Sequence, residues 1–372
     1  MIAAGLGSLT MIAGAFADPA QFFRSYLLAY VYWTGIGLGC LALAMIYHLT
    51  GGAWGASIRR LLEAGAGTLP FMAILFVPLL FGLGHLYSWT DTSAVLADAV
   101  LRQKTAYLNV PFFVARSAVY FLVWLTLGHF LNRWSGEQDR TDDPRVADRL
   151  RKLGGGGLVV WGLATTFAAF DWLMSLDPHW FSTIFGMLFM AGQGLGALAF
   201  VLVVAYLLSG RESYGRVFVP TVLNDLGNLL LAFVMLWAYL SYSQLLIIWA
   251  GNLPEEIPWY LRRISGGWGG VAILLAVFYF AVPFFVLLGR GNKRQMRRLA
   301  AVAAGVTLAR LVDVYFLIAP EFSASVRVHW VDIAAVAGLG GIFVTLFVWR
   351  LGLRPLLPAH DPEVASALAR RH

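Results

Sequence analysis

Ten runs of predominantly apolar residues limit what this chain can fold into. A membrane-crossing helix needs about 20 such residues, and most of the runs are long enough, although the first is short. No run alternates as a barrel strand would, so the pattern predicts helices. The runs cover residues 2–17, 22–49, 65–88, 107–131, 155–176, 180–208, 219–249, 264–288, 298–319 and 331–350.

Composition supports the same conclusion. The chain is 59% hydrophobic and 13% charged, whereas a soluble domain carries about 25% charged residues. We therefore predict an all-α integral membrane protein with about ten transmembrane helices. Residues 1–17 lack a basic leader, so we interpret them as a short first span rather than a removed signal peptide.

The basic residues are divided unequally between the two sets of loops. With ten spans, 19 Lys and Arg residues lie on the side of both termini and six on the other side, while Arg116 and Arg310 lie inside spans. Basic loops stay in the cytoplasm. The sequence thus predicts a multi-pass protein of a bacterial cytoplasmic (inner) membrane with both termini cytoplasmic. The net charge of +7 reflects this topology and does not indicate a nucleic-acid partner.

Short patterns recur after a shift of four spans. Gly35-x-Gly37-Leu38-Gly39 resembles Gly192-x-Gly194-Leu195-Gly196, and Asp171-x6-Pro178 resembles Asp313-x6-Pro320. A shift of four spans keeps the orientation, so the pattern predicts two parallel-repeat four-helix bundles plus two peripheral helices. We expect Asp171 and Asp313 to occupy equivalent positions in the two bundles. The glycines of the first pattern lie within an apolar helix, which predicts close helix packing rather than nucleotide binding.

The repeat also suggests a division of the chain. We predict an N-terminal peripheral helix at 1–21, a first four-helix bundle at 22–176, a second at 177–319, and a C-terminal helix with a cytoplasmic tail at 320–372.

A short acidic hairpin joins the fifth and sixth spans. Asp171, Asp177 and His179 fall within nine residues, and Trp172 and Trp180 flank them. Tryptophans favour the membrane interface, and ionisable groups at that depth are costly unless they have a function. We therefore predict a proton-handling or ligand-binding role, and we expect these groups to cluster with His85, with Asp171 the most buried. The alternative is that they cap helix ends among the lipid headgroups.

Further polar residues suggest a path for protons across the membrane. Arg310 and Asp313 share one helical face and can pair with each other or across the bundle with Asp171 and Arg116. An inner group lies near the cytoplasmic side. The alternative is that these residues hold helices together. The complete candidate path comprises Asp171, Asp177, His179, His85, Asp313, Arg310, Arg116, Asn224, Asp225, Asn228 and His129.

A quinone site is a second hypothesis for the outer side of the membrane. Quinol oxidation requires an apolar slot and a histidine or carboxylate that takes a proton. The candidates are His85, Asp91, Asp171 and Trp172. The histidines are poorly matched for haem ligation and Cys40 is the single cysteine, so we expect neither a haem, an iron–sulfur cluster nor another metal in this chain.

The hairpin, the segment from Asp18-Pro19 to Leu27 and the ending His48-Leu49-Thr50-Gly51 resemble one family. This is the NrfD-like (polysulfide reductase membrane subunit-like) family, in the ActF-like branch found in alternative complex III, a bacterial quinol oxidoreductase. The resemblance covers about residues 2–350. It implies ten helices in two bundles, a sister NrfD-like subunit that holds the quinol site, an iron–sulfur protein and c-type cytochromes as partners, and a proton-conducting role for this subunit.

The sequence-based hypothesis is thus an accessory, non-catalytic subunit of a respiratory quinol oxidoreductase. It has no redox centre of its own, contributes a transmembrane proton path, and has menaquinone or ubiquinone as its possible ligand. Two alternatives remain open at this stage. One is a secondary transporter with parallel helix-bundle repeats, although its helix breaks would be expected at mid-membrane, and the other is a purely structural scaffold.

Overall fold

The computed structural model describes residues 14–141 and 143–358. In this part of the chain nine helical segments are long and apolar enough to cross a membrane, and no strand occurs. The prediction of an all-α integral membrane protein is confirmed. The segments are α1 (Pro19–Thr50), α2 (Ala53–Phe81), α3 (Val110–Gln138), α4 (Pro144–Leu176), α5 (Phe185–Leu208), α6 (Pro220–Gly251), α7 (Trp268–Leu288), α8 (Met296–Glu321) and α9 (Trp330–Leu351).

These nine segments correspond to the second to tenth predicted spans. The predicted first span at 2–17 lies almost wholly outside the described residues. We call the side of the bundle with the loops 82–109, 177–184, 252–267 and 322–329 the hairpin end. The opposite side, on which α1, α3, α5, α7 and α9 finish, is the basic end.

Polar caps and prolines determine where several of the segments begin. Asp18 precedes Pro19, and its Oδ1 accepts a hydrogen bond from the backbone N–H of Gln21 at 3.0 Å. Asn109 and Asp143 cap α3 and α4 in the same way, each with a proline in the first helical turn. A side-chain acceptor satisfies an orphan N–H of the first turn, and proline has no N–H to leave unpaired there.

The predicted start of α2 is wrong. Arg59 and Arg60 are predicted to be loop residues, whereas both lie buried in the first helix of α2, Ala53–Ala66. A turn separates this helix from Leu69–Phe81. Glu63 lies one turn further along and accepts hydrogen bonds from both arginines. This pairing offsets the charges of Arg59 and Arg60. A prediction from hydropathy alone places such charged residues outside a membrane-crossing helix.

Two helices form the centre of the molecule. In its most apolar 18-residue stretch α1 is 94% buried and α5 is 72% buried, whereas α6 and α7 reach 28% and 22%. The helix α1 packs on α2, α4, α5 and α9, and α5 packs on α1, α4, α6 and α8. The hydroxyl of Tyr32 in α1 donates to the backbone carbonyl of Thr307 in α8, and the indole N–H of Trp33 donates to that of Val336 in α9.

The remaining contacts form two groups. In the first group, α3 packs on α2 and α4, and these helices lie on one side of α1. In the second group, α7 packs on α6 and α8, and these helices lie around α5. The helix α9 lies against α1 and α2. The predicted superposition of the two bundles and the boundaries 22–176 and 177–319 stay predictions.

Glycine allows α1 and α5 to approach closely. A Cβ added at Gly39 would lie 2.2 Å from the backbone oxygen of Gln193 and 2.6 Å from the Cβ of Ala197. Backbone atoms cannot move aside as a flexible side chain can, so the position admits no larger residue without separating the helices. This contact agrees with the packing role predicted for the glycines of α1.

We expect Gly39→Ala to destabilise the protein by about 1–3 kcal/mol, the usual cost of overpacking. The matched control is Gly156→Ala in α4, where an added Cβ meets nothing within 4 Å. Thermal unfolding of the purified chain in detergent measures both. A Gly39→Ala midpoint equal to that of Gly156→Ala would contradict the close approach of α1 and α5.

Candidate functional site

The first buried ion pair joins α3 to α4. Asp171 has no exposed surface. Nε and Nη2 of Arg116 donate to its two carboxylate oxygens at 2.8 and 2.9 Å, and the hydroxyl of Tyr120 donates to Oδ2 at 2.6 Å. Arg116 also stacks on the ring of Tyr107 at 3.7 Å. A bidentate arginine with a third donor satisfies the hydrogen-bonding capacity of a buried carboxylate well.

The second buried ion pair lies within α8. Arg310 donates through Nη1 to Asp313 one turn away, and both residues are about 4% exposed. Gly192 and Gly196 of α5 provide the space for the arginine, because a Cβ at Gly192 would lie 2.2 Å from Nη1 of Arg310. The sequence left open whether Arg310 and Asp313 pair with each other or across the bundle with Asp171 and Arg116. In the structure Arg310 pairs with Asp313, and Arg116 pairs with Asp171.

The surroundings of the two aspartates differ. Asp313 lies on the wall of a cavity of about 570 Å³ between α6, α7 and α8. Among the described residues that line this cavity, Asp313 is the one with a charge. The neighbours that bear on its chemistry are Trp237, Gln244, Trp259, Tyr260 and Phe316. We call this space the Asp313 cavity.

Two features of the backbone and side chains shape the Asp313 cavity. Residues Ala276–Ala281 of α7 form a π-helical turn, and two of them, Ala276 and Phe280, line the cavity. Such turns occur frequently at functional sites because they widen the helix locally. Gln244 is 2% exposed, and its Nε2 lies 3.3 Å from the hydroxyl of Tyr260. Amide and phenol groups on an otherwise apolar wall can orient a ligand that carries oxygen atoms.

An ion-pair network covers the hairpin end next to this cavity. Arg263 is 1% exposed and donates to the backbone carbonyl of Leu317 at 2.8 Å and to Oε1 of Glu321 at 2.9 Å. Its guanidinium lies 3.4 Å from the ring centroid of Trp259. Trp259 and Leu317 also line the Asp313 cavity. Burial lowers the pKa of Arg263 to about 10, against the opposing effect of Glu321, so the arginine remains charged near neutral pH.

The network continues to the surface of the molecule. Arg262 donates to Asp177 and lies 3.3 Å from Oε2 of Glu321. His179 lies 3.7 Å from Asp177 and 2.6 Å from Oδ2 of Asp98, and half of its side chain is exposed. The hydrogen bond from His179 lowers the pKa of Asp98 below its usual range. Carboxylates and a histidine thus extend to solvent from the pair of Arg263 and Glu321, which lies beside the Asp313 cavity.

The predicted cluster at the hairpin end is therefore divided. Asp177 and His179 come together in the network, whereas the hydrogen bonds to the Asp171 carboxylate in the described part of the chain come from Arg116 and Tyr120. His85 is exposed and stacks on Phe23 at 5.5 Å. The expectation that Asp171 is the most buried member is confirmed.

The residues predicted to bind quinone are not arranged around one slot. Asp91 is exposed and caps the short helix Thr92–Ala97, and His85 is exposed as well. Trp172 is 2% exposed and packs against the ring of Phe76 at 4.9 Å. The Asp313 cavity is lined by other residues.

The inner candidates lie at the basic end on two different helices. Oδ1 of Asn228 accepts from Nζ of the buried Lys293 at 2.6 Å, while Asp225 is exposed and Asn224 is half-buried. His129 lies on a different helix, α3, and is exposed. Among the residues that the structure describes, no hydrogen bond links this end to either buried aspartate.

The fold brings together three groups of residues that are not predicted from the sequence. These are the wall of the Asp313 cavity, the pair of Arg263 and Glu321, and the buried group of Arg59, Arg60 and Glu63. The spacing of the last group at i, i+3 and i+4 is a signal that could have found it. The first two join residues far apart in the chain, and no local pattern marks them. No group of three His, Cys, Asp or Glu side chains suited to a metal ion occurs in the described residues.

A comparison of the chain with protein-family models finds no matching model, and a comparison with curated proteins finds no significant match.

Proposed function

We propose that this chain is a membrane subunit of a bacterial respiratory quinol oxidoreductase, in which the Asp313 cavity receives a quinol ring and Asp313 accepts a proton from it. The observation that carries the proposal is a buried carboxylate on the wall of an apolar, membrane-embedded cavity. The resemblance to NrfD-like subunits of alternative complex III supports the same assignment. The subunit has no redox centre of its own in this proposal, and electrons pass to iron–sulfur and c-type haem subunits.

The size and lining of the Asp313 cavity suit this role. Its volume of about 570 Å³ lies within the range of about 300–1,000 Å³ that is usual for small-molecule sites. Trp237 and Phe316 offer ring faces, and Gln244, Tyr260 and Asp313 offer hydrogen-bonding groups. A quinol needs these features, because its ring is apolar and its two oxygens exchange protons.

The hairpin-end network supplies a route for the released proton in this proposal. Glu321 is paired with Arg263, which contacts the cavity-lining residues Trp259 and Leu317. From Glu321 the network continues through Asp177 to His179 at the surface, with Arg262 bridging the two carboxylates. Half of the His179 side chain is exposed, so this end of the network is in contact with solvent. Three of the predicted path residues take part in this proposal: Asp313 receives the proton in the cavity, and Asp177 and His179 lie towards the surface.

Binding of a short-chain ubiquinone or menaquinone analogue to the purified chain tests the cavity. We expect Ala238→Phe, which places a phenyl ring in the Asp313 cavity, to weaken binding about tenfold or more, because such overpacking costs about 1–3 kcal/mol. The matched control is Ala337→Phe, which lies in a different apolar groove on α9. Equal affinities of the wild type and Ala238→Phe would exclude the cavity as the quinone site.

Purification of the native complex tests the assignment to a respiratory enzyme. We expect iron–sulfur and c-type haem subunits to co-purify with the chain. Isolation of the chain alone from its native membrane, together with an absence of quinone binding, would instead support a transporter.

We further propose that the basic end is cytoplasmic, because the excess of Lys and Arg lies there. In a Cys40→Ser background, a cysteine at Ser265 in the hairpin end should react with an impermeant maleimide in intact cells. A cysteine at Gly210 in the basic end should react only after lysis. Both positions are exposed, so the reverse pattern of labelling would show the opposite topology.

A further inference from the structure

A second cavity lies at the basic end, away from the Asp313 cavity. It has a volume of about 270 Å³ and lies between α2, α3 and the end of α9. Its floor contains the buried group of Arg60 and Glu63, and its rim contains Arg133, Arg350 and Arg354. We call it the arginine cavity.

Positive charge exceeds negative charge in the arginine cavity. Four arginines line it, and Glu63 is the one carboxylate among its described lining residues. That carboxylate is already engaged, since it accepts from Arg59, Arg60 and the hydroxyl of Ser135. Arg133 and Arg350 therefore add charge that Glu63 does not balance.

Several guanidinium nitrogens here have no hydrogen-bond acceptor. Nε of Arg60, Nε of Arg350 and Nη1 of Arg354 are buried and make no hydrogen bond within the described part of the chain. Nη1 of Arg354 lies 3.6 Å from Glu63, beyond hydrogen-bond distance. Arg60 is 4% exposed. Buried donors without acceptors are costly, and an anion beside these guanidinium groups would offset their charge.

We propose that the arginine cavity binds a phosphate ester anion, supplied by the headgroup of an anionic phospholipid. Arginine is well suited to phosphate because its donors match the phosphate oxygens in pairs. A phosphodiester presents two unesterified oxygens with one negative charge. Basic pockets between transmembrane helices are known sites for such headgroups.

The position of the cavity favours a lipid over a free anion. Leu69, Leu125 and Leu351 form an apolar part of its wall. Beside it Trp349 is 50% exposed and Leu353 59% exposed, and both lie where α9 ends. Exposed Trp and Leu at a helix end belong to the membrane interface. A phospholipid can place its headgroup among the arginines and its acyl chains along these side chains, which a free phosphate ion cannot do.

Binding of a phosphatidylglycerol with a fluorescent acyl chain to the purified full-length chain in non-ionic detergent tests the site. We expect unlabelled phosphatidylglycerol to displace it and phosphatidylcholine to fail. Arg350→Gln should weaken binding about fivefold, the loss expected for one basic residue near a headgroup. Arg350→Gln combined with Arg354→Gln should weaken it about 25-fold.

Two control variants distinguish binding in the arginine cavity from a general attraction of the lipid to basic surface residues. Arg151→Gln removes an exposed arginine of α4 at the same end and should leave the affinity unchanged. Arg350→Lys keeps the charge but not the paired guanidinium donors, so it should lose less affinity than Arg350→Gln. An equal loss in Arg151→Gln and Arg350→Gln would overturn the proposal. Displacement by millimolar inorganic phosphate as effective as that by phosphatidylglycerol would overturn the lipid assignment in favour of a free anion.

Discussion

Replacing Asp313 with asparagine is expected to slow quinol oxidation by the assembled complex about 100-fold or more. Asparagine keeps the size of the side chain but cannot take a proton, and a positioned acid–base group contributes about 10²–10⁴ in rate. Asp313 pairs with Arg310 in α8 and lies on the wall of the Asp313 cavity. Steady-state turnover and proton release in reconstituted vesicles measure the effect.

The matched control is Asp171→Asn. Asp171 is equally buried, but Arg116 and Tyr120 occupy its carboxylate oxygens. We expect this variant to lower stability while the assembled fraction keeps its turnover. The opposite outcome would be loss of turnover in Asp171→Asn and normal turnover in Asp313→Asn. It would show that Asp171, between α3 and α4, is the proton-handling group, as the sequence alone predicts.

Replacing Arg116 with methionine is expected to destabilise the protein by about 3–5 kcal/mol, because it leaves a buried carboxylate without its counter-charge. Asp171 has no exposed surface and receives two of its three hydrogen bonds from this arginine. The measurement is thermal or denaturant-induced unfolding in detergent. Arg102→Met, at an exposed arginine of the same end, is the control and should change stability little.

A double variant distinguishes the ion pair from simple packing. Arg116→Met combined with Asp171→Leu removes both charges, and a hydrophobic replacement of a buried pair is often neutral or stabilising. We expect most of the lost stability to return. A double variant as unstable as the sum of the two single variants would show that the side chains act independently.

The helices could be predicted from the sequence because length and apolar content are local properties. Nine predicted spans correspond to observed segments. The error at the start of α2 has a tertiary cause. Ser135 of α3 donates to Glu63, and Asp139, just beyond α3, accepts from Arg60, so charged residues that suggest a loop are neutralised within the bundle.

The candidate site was predictable only in part. Arg310 and Asp313 stand three residues apart, which suggested their pairing. Nothing local showed that Asp313 borders a cavity, because α6 and α7 and the short helix Ile257–Ile264 supply the opposite wall. Asp171 and Asp313 have similar sequence contexts, but their neighbouring helices differ. Asp171 is surrounded by hydrogen-bond donors, whereas Asp313 borders a cavity.

The central position of α1 has a consequence for the synthesis of the protein. Tyr32 and Trp33 find their acceptors in α8 and α9, 275 and 303 residues later in the chain. Until those helices enter the membrane, neither donor has its final partner, and the surrounding hydrocarbon offers no water in exchange. The first of the described spans to leave the ribosome is thus among the last to be completely enclosed, and a chain released before α9 is made leaves part of α1 facing lipid.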